Sequence, residues 1–272
     1  MNYRHAYHAG NFADCFKHAL LVGLLDSFVR KPTPFFVLDT HAGAGRYDPR
    51  GEMSCRTGEI ETGIYRLLGR SDPVLGRYLG LVERCGLYPG SPALIRAVMR
   101  GKDRLACCEL HPEDLTILRR HFAGDRQVEV HHRSGWEALA ALLPPREGRG
   151  LVFVDPPFEA SDEFSNLSDG LAKAHSRFRH GVFAAWYPVK QHAAVRDFYA
   201  RLTATGIADI IAVELCLRET MIPDRLDGCG LVVINPPYRF EECAGMIACA
   251  ILDELRHEEV GGGTAVIRLA NE

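Results

Sequence analysis

The sequence contains no C-x-x-C pair, no apolar run long enough to span a bilayer, no internal repeat and no low-complexity linker. Each absence closes off a class. The nine cysteines (Cys15, Cys55, Cys85, Cys107, Cys108, Cys216, Cys229, Cys243 and Cys249) sit mostly in apolar runs, where free cysteine behaves as a small hydrophobe. Neither a zinc ribbon nor a disulfide scaffold is expected, and a reducing cytoplasm is. The chain opens on polar residues and histidines, and no apolar stretch approaches the ~20 residues of a membrane span, so neither a signal peptide nor a transmembrane helix is expected. Net charge is also scarce, at −3. A polyanion would find no global attraction here and would have to be met by a local cluster of Arg, Lys and His. With 47% hydrophobic and 25% charged residues in 272, the chain can bury one large α/β core, so residues 1–272 are expected to form a single domain.

What is present centres on Asp155-Pro156-Pro157-Phe158. Leu151-Val152-Phe153-Val154, preceded by Gly148 and Gly150, reads as a buried parallel strand, and two consecutive prolines stop it by fixing φ and donating no ladder hydrogen bond. The Asp155 carboxylate and the neighbouring carbonyls are then left facing a cleft. Phe158 can lie flat against a planar ligand such as a base removed from its stack. Alone, the motif fits a plain strand-to-loop turn equally well.

The rest of the chain adds context. Asn11 is placed to cap a helix running from Phe12 to about Arg30, ended by Pro32 and Pro34. Phe35–Asp39 reads as a strand followed by Thr40-His41-Ala42-Gly43-Ala44-Gly45, whose glycines permit a sharp turn and close approach to a ligand. Arg104–Cys108 reads as the next strand, ending in Glu109 where a doubly wound sheet binds ribose hydroxyls. The separation of Gly45 and Glu109 far exceeds the usual ~20 residues, so residues 47–100 are expected to form a small helical subdomain inserted beside the cleft. A helix near Pro112–Phe122, a strand Val128–His131, a helix opening at Ser134-Gly135-Trp136 and the strand bearing Asp155 follow. Their alternation predicts a parallel sheet with Asp39, Gly43, Glu109, Ser134 and Asp155 along its carboxyl edge. Further strands are expected at Gly181–Trp186, Asp209–Leu217, Gly230–Ile234 and Ala265–Leu269. Asn235-Pro236-Pro237-Tyr238 is a rival motif, but the Arg218–Gly228 connection is too short for a helical crossover, so its strands should pair antiparallel and Asn235 should face away from the cleft.

A glycine turn, a ribose-binding Glu and Asp-Pro-Pro-aromatic in this order resemble a class I S-adenosylmethionine-dependent methyltransferase acting on an exocyclic amine. Tyr3-Arg4-His5, His8-Ala9-Gly10-Asn11, Asp14, Lys17-His18, Asp39 through Tyr47, Arg56-Thr57-Gly58-Glu59, Tyr88-Pro89-Gly90-Ser91-Pro92, Glu109-Leu110-His111-Pro112 and Trp186-Tyr187-Pro188 closely resemble the bacterial 23S ribosomal RNA adenine-N6 methyltransferases of the RlmJ family, over nearly the whole chain. The resemblance implies an α/β, Rossmann-like class I fold with a mostly parallel seven-stranded sheet, S-adenosylmethionine as methyl donor and no metal. It implies that His18, His41, Gly43, Ser91, Glu109, Ser134, Gly135 and Asp155 contact the cofactor or the reaction centre, that Asp155, Pro156 and Phe158 carry the transfer, and that Tyr3, Arg4, Lys17 and Phe158 face the substrate. The implied partner is 23S ribosomal RNA, free during ribosome biogenesis, with no membrane and no obligate protein partner. Two positions depart from the family pattern. Phe158 stands where Tyr is usual, keeping the ring and losing a hydroxyl; Ser134 stands where Asp is usual, weakening an acceptor for the cofactor's adenine amino group.

The target amine is a poor nucleophile because its lone pair is delocalised into the purine. Acceptance of its two hydrogens by Asp155 and the Pro156 carbonyl would favour a tetrahedral nitrogen aimed at the methyl group, with Phe158 fixing the ring plane. Tyr3, Arg4, His5, His8 and Lys17 are expected to form a phosphate-meeting gate ahead of the first helix. A DNA adenine methyltransferase would share this cleft, a protein or small-molecule N-methyltransferase would use Asn235 instead, and a non-catalytic nucleotide binder would have little reason to hold Asp155 beside an aromatic.

Overall fold

The computed structural model describes residues 7–51, 57–160, 162–219, 225–256 and 261–271. Eight strands form one sheet: β1 (Phe36–Asp39), β2 (Arg104–Glu109), β3 (Val128–His132), β4 (Gly150–Val154), β5 (Val182–Val189), β6 (Ile210–Cys216), β7 (Gly228–Ile234) and β8 (Gly263–Ala270). Across the sheet they run β8-β6-β7-β5-β4-β1-β2-β3. β1 lies parallel between β2 and β4, with β3 and β5 extending the parallel run on either side. β7 is antiparallel to both β5 and β6, and β8 is antiparallel to β6. The sheet therefore holds all eight segments read as strands, one more than the seven that the family resemblance implied. The closing segment Gly263–Ala270 pairs on β6 and adds the eighth at the edge.

The central strands read as continuous apolar runs because both faces are covered. Val37, Leu105, Leu151 and Phe153 pack to one side, while Phe36, Leu38, Ala106, Val152 and Val154 pack to the other. The first face is covered by α1 (Phe12–Val29), α5 (Ser91–Val98) and α10 (Phe240–Leu255). The second is covered by α7 (Gly135–Ala141), α8 (Glu163–Arg177) and α9 (His192–Ala204). Asn11 caps α1 as its position suggested, its Oδ1 accepting from the Asp14 N–H at 2.9 Å.

Within the 47–100 segment, α3 (Ile64–Leu67) lies against α10 and α4 (Gly76–Cys85) against α1, while α2 (Glu59–Thr62) packs on α3. A two-residue ladder, Arg46–Tyr47 with Tyr88–Pro89, draws the ends of the segment together. Ser91–Val98, expected as part of the insertion, is the crossover helix from β1 to β2 and packs on α1, β1 and β2. α6 (Pro112–His121) links β2 to β3. The chain turns one way from β1 to β2 and the other way to β4, so the switch point that forms a cleft in open α/β sheets lies between β1 and β4 at their carboxyl ends. Among the described residues no helix is long and apolar enough to cross a membrane.

Asn235 ends β7 on the opposite edge, as the short connection predicted. It holds φ 53°, and its Nδ2 donates to the carbonyls of Arg179 at 2.8 Å and Gly181 at 2.7 Å. Asn tolerates this left-handed backbone, and its amide pins the start of β5. Asn235→Ala should lower the unfolding free energy by about 1–3 kcal/mol in urea titrations while leaving cofactor affinity intact. Lost cofactor binding with a native circular dichroism spectrum would place Asn235 in the cleft after all.

Candidate active site

A cavity of about 780 Å³ opens over the carboxyl ends of β1, β2, β4 and β5. One side of it is built on two glycines. Gly43 holds φ +60°, and a Cβ there would stand 2.2 Å from the Tyr47 hydroxyl. The Gly43 N–H donates to Glu109 Oε2 at 2.8 Å, and the His111 N–H donates to Oε1 at 2.6 Å, so the carboxylate locks the turn after β1 to the end of β2. Each oxygen keeps a further lone pair for a ribose hydroxyl. Burial pushes the Glu109 carboxyl up, and these backbone donors pull against it. A Cβ on Gly135 would lie 2.4 Å from the Thr40 carbonyl, so only glycine lets the first turn of α7 close on the β1 turn.

Thr40 Oγ1 donates to the Phe153 carbonyl at 3.0 Å and meets His41 Nδ1 at 2.8 Å. With its one proton committed to Phe153, the hydroxyl accepts from His41 Nδ1–H, leaving Nε2 bare. Burial pushes His41 down to about 4, so the ring is neutral at physiological pH and puts no positive charge beside a cationic donor. Trp136 presents an edge to it, with ring centroids 5.5 Å apart. The glycine cradle, the Glu109 carboxylate and the neutral imidazole fit a cationic nucleoside such as S-adenosylmethionine.

The side that carries Asp155 is organised by one ammonium group. Lys17 Nζ lies 2.6 Å from Asp155 Oδ2 and 2.9 Å from Asp14 Oδ1, with the Lys17 side chain only 6% exposed. Nζ also sits 5.5 Å from the centre of the Trp186 ring. Phe158, at φ 51°, meets Trp186 and Phe164 edge-on at 5.8 and 4.9 Å, and the Phe158 and Trp186 rings line the cavity with Asp155. A left-handed aromatic is a strained choice of a kind that clusters at functional sites.

His41, Gly43, Ser91, Glu109, Ser134, Gly135, Asp155, Pro156 and Phe158 all line this one cavity, together with Lys17 and His18. Three placements differ in detail from the sequence reading. Lys17 was expected on a phosphate-meeting surface patch; it is buried between two carboxylates because α1 runs beneath the cleft. His18 turns Nδ1 to the buried Tyr88 hydroxyl at 3.0 Å. Ser91 spends its hydroxyl on Asp39 Oδ2 at 2.7 Å. Tyr3 and Arg4 lie outside the described residues. The sequence reading missed a basic wall: exposed Lys190 after β5, with Arg218 and Arg225 flanking fully buried Asp227 at 3.4 and 2.5 Å. The only signal was two arginines in a connection noted for its shortness. Among the described residues no group of three His, Cys, Asp or Glu is placed to hold a metal ion.

Asp39 lies under the floor, wholly buried. Burial pushes its carboxyl from 3.8 up to about 7, with the Ser91 bond opposing and the Asp155 charge adding to the rise. The folded state therefore holds this proton where the unfolded chain has released it, and stability contributed by Asp39 falls as pH rises from about 4 to about 7 and is level above. Measured in urea, the stability of the wild type relative to Asp39→Asn should decline over that window; a difference independent of pH would contradict the assignment.

Comparison with known proteins places these features. Residues 32–267 match the family model described as ribosomal RNA large subunit methyltransferase D, RlmJ. The chain is 38% identical over 250 residues to ribosomal RNA large subunit methyltransferase J of Escherichia coli (strain K12), covering 89% of each chain, and 37% identical over the same shares to its namesake in Haemophilus influenzae. Among solved structures, protein LPL1258 of Legionella pneumophila superposes with a TM-score of 0.88 at 32% identity, covering 96% of this chain and 98% of that one. The Asp155 motif, the Gly43–Glu109 lock and the order of the sheet are thus those of a chain that belongs to the RlmJ family of S-adenosylmethionine-dependent ribosomal RNA methyltransferases.

Proposed function

We propose that this protein methylates N6 of one adenine in 23S ribosomal RNA, acting in the cytoplasm on RNA not yet packed into the subunit. The observation that carries the reading is Asp155: Lys17 occupies Oδ2, leaving Oδ1 to accept from a substrate N–H, beside the Phe158 and Trp186 rings and in the cavity that holds Glu109. An adenine extruded from its stack presents a flat face to Phe158 and a two-hydrogen amine to Asp155. Acceptance by Asp155 Oδ1 and by the Pro156 carbonyl draws the amine out of conjugation and aims its lone pair. S-adenosylmethionine supplies an already activated methyl group, so the chain's task is positioning. As the nitrogen gains the methyl it becomes acidic, and Asp155 is the nearest group to take the proton, directly or through water. Phe158 in place of Tyr keeps the stacking face and gives up one hydrogen bond.

Asp155→Asn preserves shape but removes the charge. It should cut methyl transfer to 23S RNA by about 10²–10⁴-fold while most of the cofactor affinity survives by calorimetry; near-normal turnover would remove Asp155 from the chemistry. Glu109→Ala should do the reverse, weakening cofactor binding roughly ten- to a hundred-fold, the size of a charge-assisted bond to ribose. Unchanged affinity would take Glu109 out of the site. If Lys190 and Arg225 meet RNA phosphates, replacing either with Ala should reduce the slope of log affinity against log salt by about 1. An unchanged slope would show that RNA does not follow that wall.

A further inference from the structure

Residues 7–11 are docked on the 57–64 segment at several points. Thr57 Oγ1 donates to the Tyr7 carbonyl at 2.5 Å, and the Ile64 N–H donates to the Gly10 carbonyl at 2.8 Å. Backbones touch: a Cβ on Gly63 would stand 2.0 Å from the Gly10 oxygen, and one on Gly10 would meet Ile60 and Ile64 at 2.9 Å. In the middle of this contact Glu59 spends both carboxylate oxygens on the N-terminal segment. Oε1 lies 2.9 Å from His8 Nδ1, and Oε2 accepts from Asn11 Nδ2 at 2.9 Å.

The contact does not stop there. Asn11 Oδ1 accepts from the Asp14 N–H, the Gly10 N–H donates to Asp14 Oδ2 at 2.9 Å, and Asp14 Oδ1 holds Lys17, which holds Asp155. A line of hydrogen bonds and ion pairs therefore runs from the helical segment 57–64 to the carboxylate at the reaction centre. His8, Asn11 and Glu59 also line the cavity wall.

We propose that Glu59 is a positioning residue for methyl transfer: by holding His8 and Asn11 it fixes the Asp14–Lys17 pair that orients Asp155. The inference rests on the methyltransferase reading of the site and adds a role for the segment between β1 and β2. Among the described residues, the charged groups that act on His8 are Glu59 on α2 and Asp14 and Lys17 on α1. The bond to Glu59 raises His8, burial opposes it, and the charges of Asp14 and Lys17 pull in opposite directions. Against its own burial, Glu59 is held low by His8 and Asn11. The charged pair is thus complete below the raised His8 pKa and weakens as pH rises through it.

A glutamine at 59 would keep an acceptor for Asn11 and offer its NH₂ to neutral His8, yet would face the protonated ring with a donor. Three readouts on the full-length protein separate positioning from mere stability. Glu59→Ala should lower kcat for RNA methylation roughly tenfold, the effect of about one lost hydrogen bond, with cofactor affinity unchanged. Amide exchange at Asn11 and Ile64 should quicken while the β1 and β4 amides stay protected. Glu59→Gln should restore the rate above neutral pH and fail to restore it below. Wild-type kcat in Glu59→Ala overturns the proposal. So does a loss matched by equal losses of melting temperature and cofactor affinity, with Gln rescuing equally at both pH values. The exchange readout needs no substrate, so an error in the RNA assignment would appear separately, as an inactive wild type.

Discussion

One buried ammonium holds the reacting half of this molecule in place. Lys17 lies between Asp14 and Asp155 where water hardly reaches, and ions so placed are tolerated only when paired and hydrogen-bonded. Removing the ammonium would leave two carboxylates facing each other near buried Asp39. With it, the trio carries one surplus negative charge, which suits a positively charged methyl donor and loses that match once the methyl has gone and the donor is neutral. Everything that fixes Lys17 therefore bears on chemistry: α1 beneath the cleft, the Asn11 cap that starts the helix, and the segment that grips residues 7–11.

Most of the frame was legible from the chain. Runs such as Val37-Leu38 and Leu151–Val154 announce strands covered on both faces, and the Asp155 prolines mark where one must end. The relative orientation of the two Pro-Pro motifs was legible as well, because a connection as short as 218–228 leaves only antiparallel pairing. Contacts between distant polar residues were not. Glu59 and His8 are an ordinary exposed-looking pair in the sequence, and nothing in periodicity brings residues so far apart together. Lys17 looked like a surface cation because it sits beside His18 near a polar chain start; only the packing of α1 under the sheet buries it. The crossover helix Ser91–Val98 was absorbed into the insertion because helical spacing alone does not distinguish a helix that spans β1 and β2 from one that hangs beside them.

The electrostatics of the mouth are divided. Glu159 and Glu163 follow Asp155 in the lining, while Lys190, Arg218 and Arg225 gather around buried Asp227. A nearly neutral protein can hold a polyanion by such segregation, since screening limits each charge to within about 10 Å and the local sign decides where a phosphate settles. Under the proposed function, the acidic stretch would take the base and the cationic donor, leaving the basic stretch for the RNA backbone.

The proposed function turns on Asp155 receiving an adenine amine from 23S RNA. The direct measurement is to incubate the protein with isotopically labelled S-adenosylmethionine and total RNA from cells lacking it, then map the labelled base by mass spectrometry. Label is expected at N6 of a single adenine in 23S RNA. Label on another base, on DNA or on co-purifying protein, with that RNA unmarked, would contradict it.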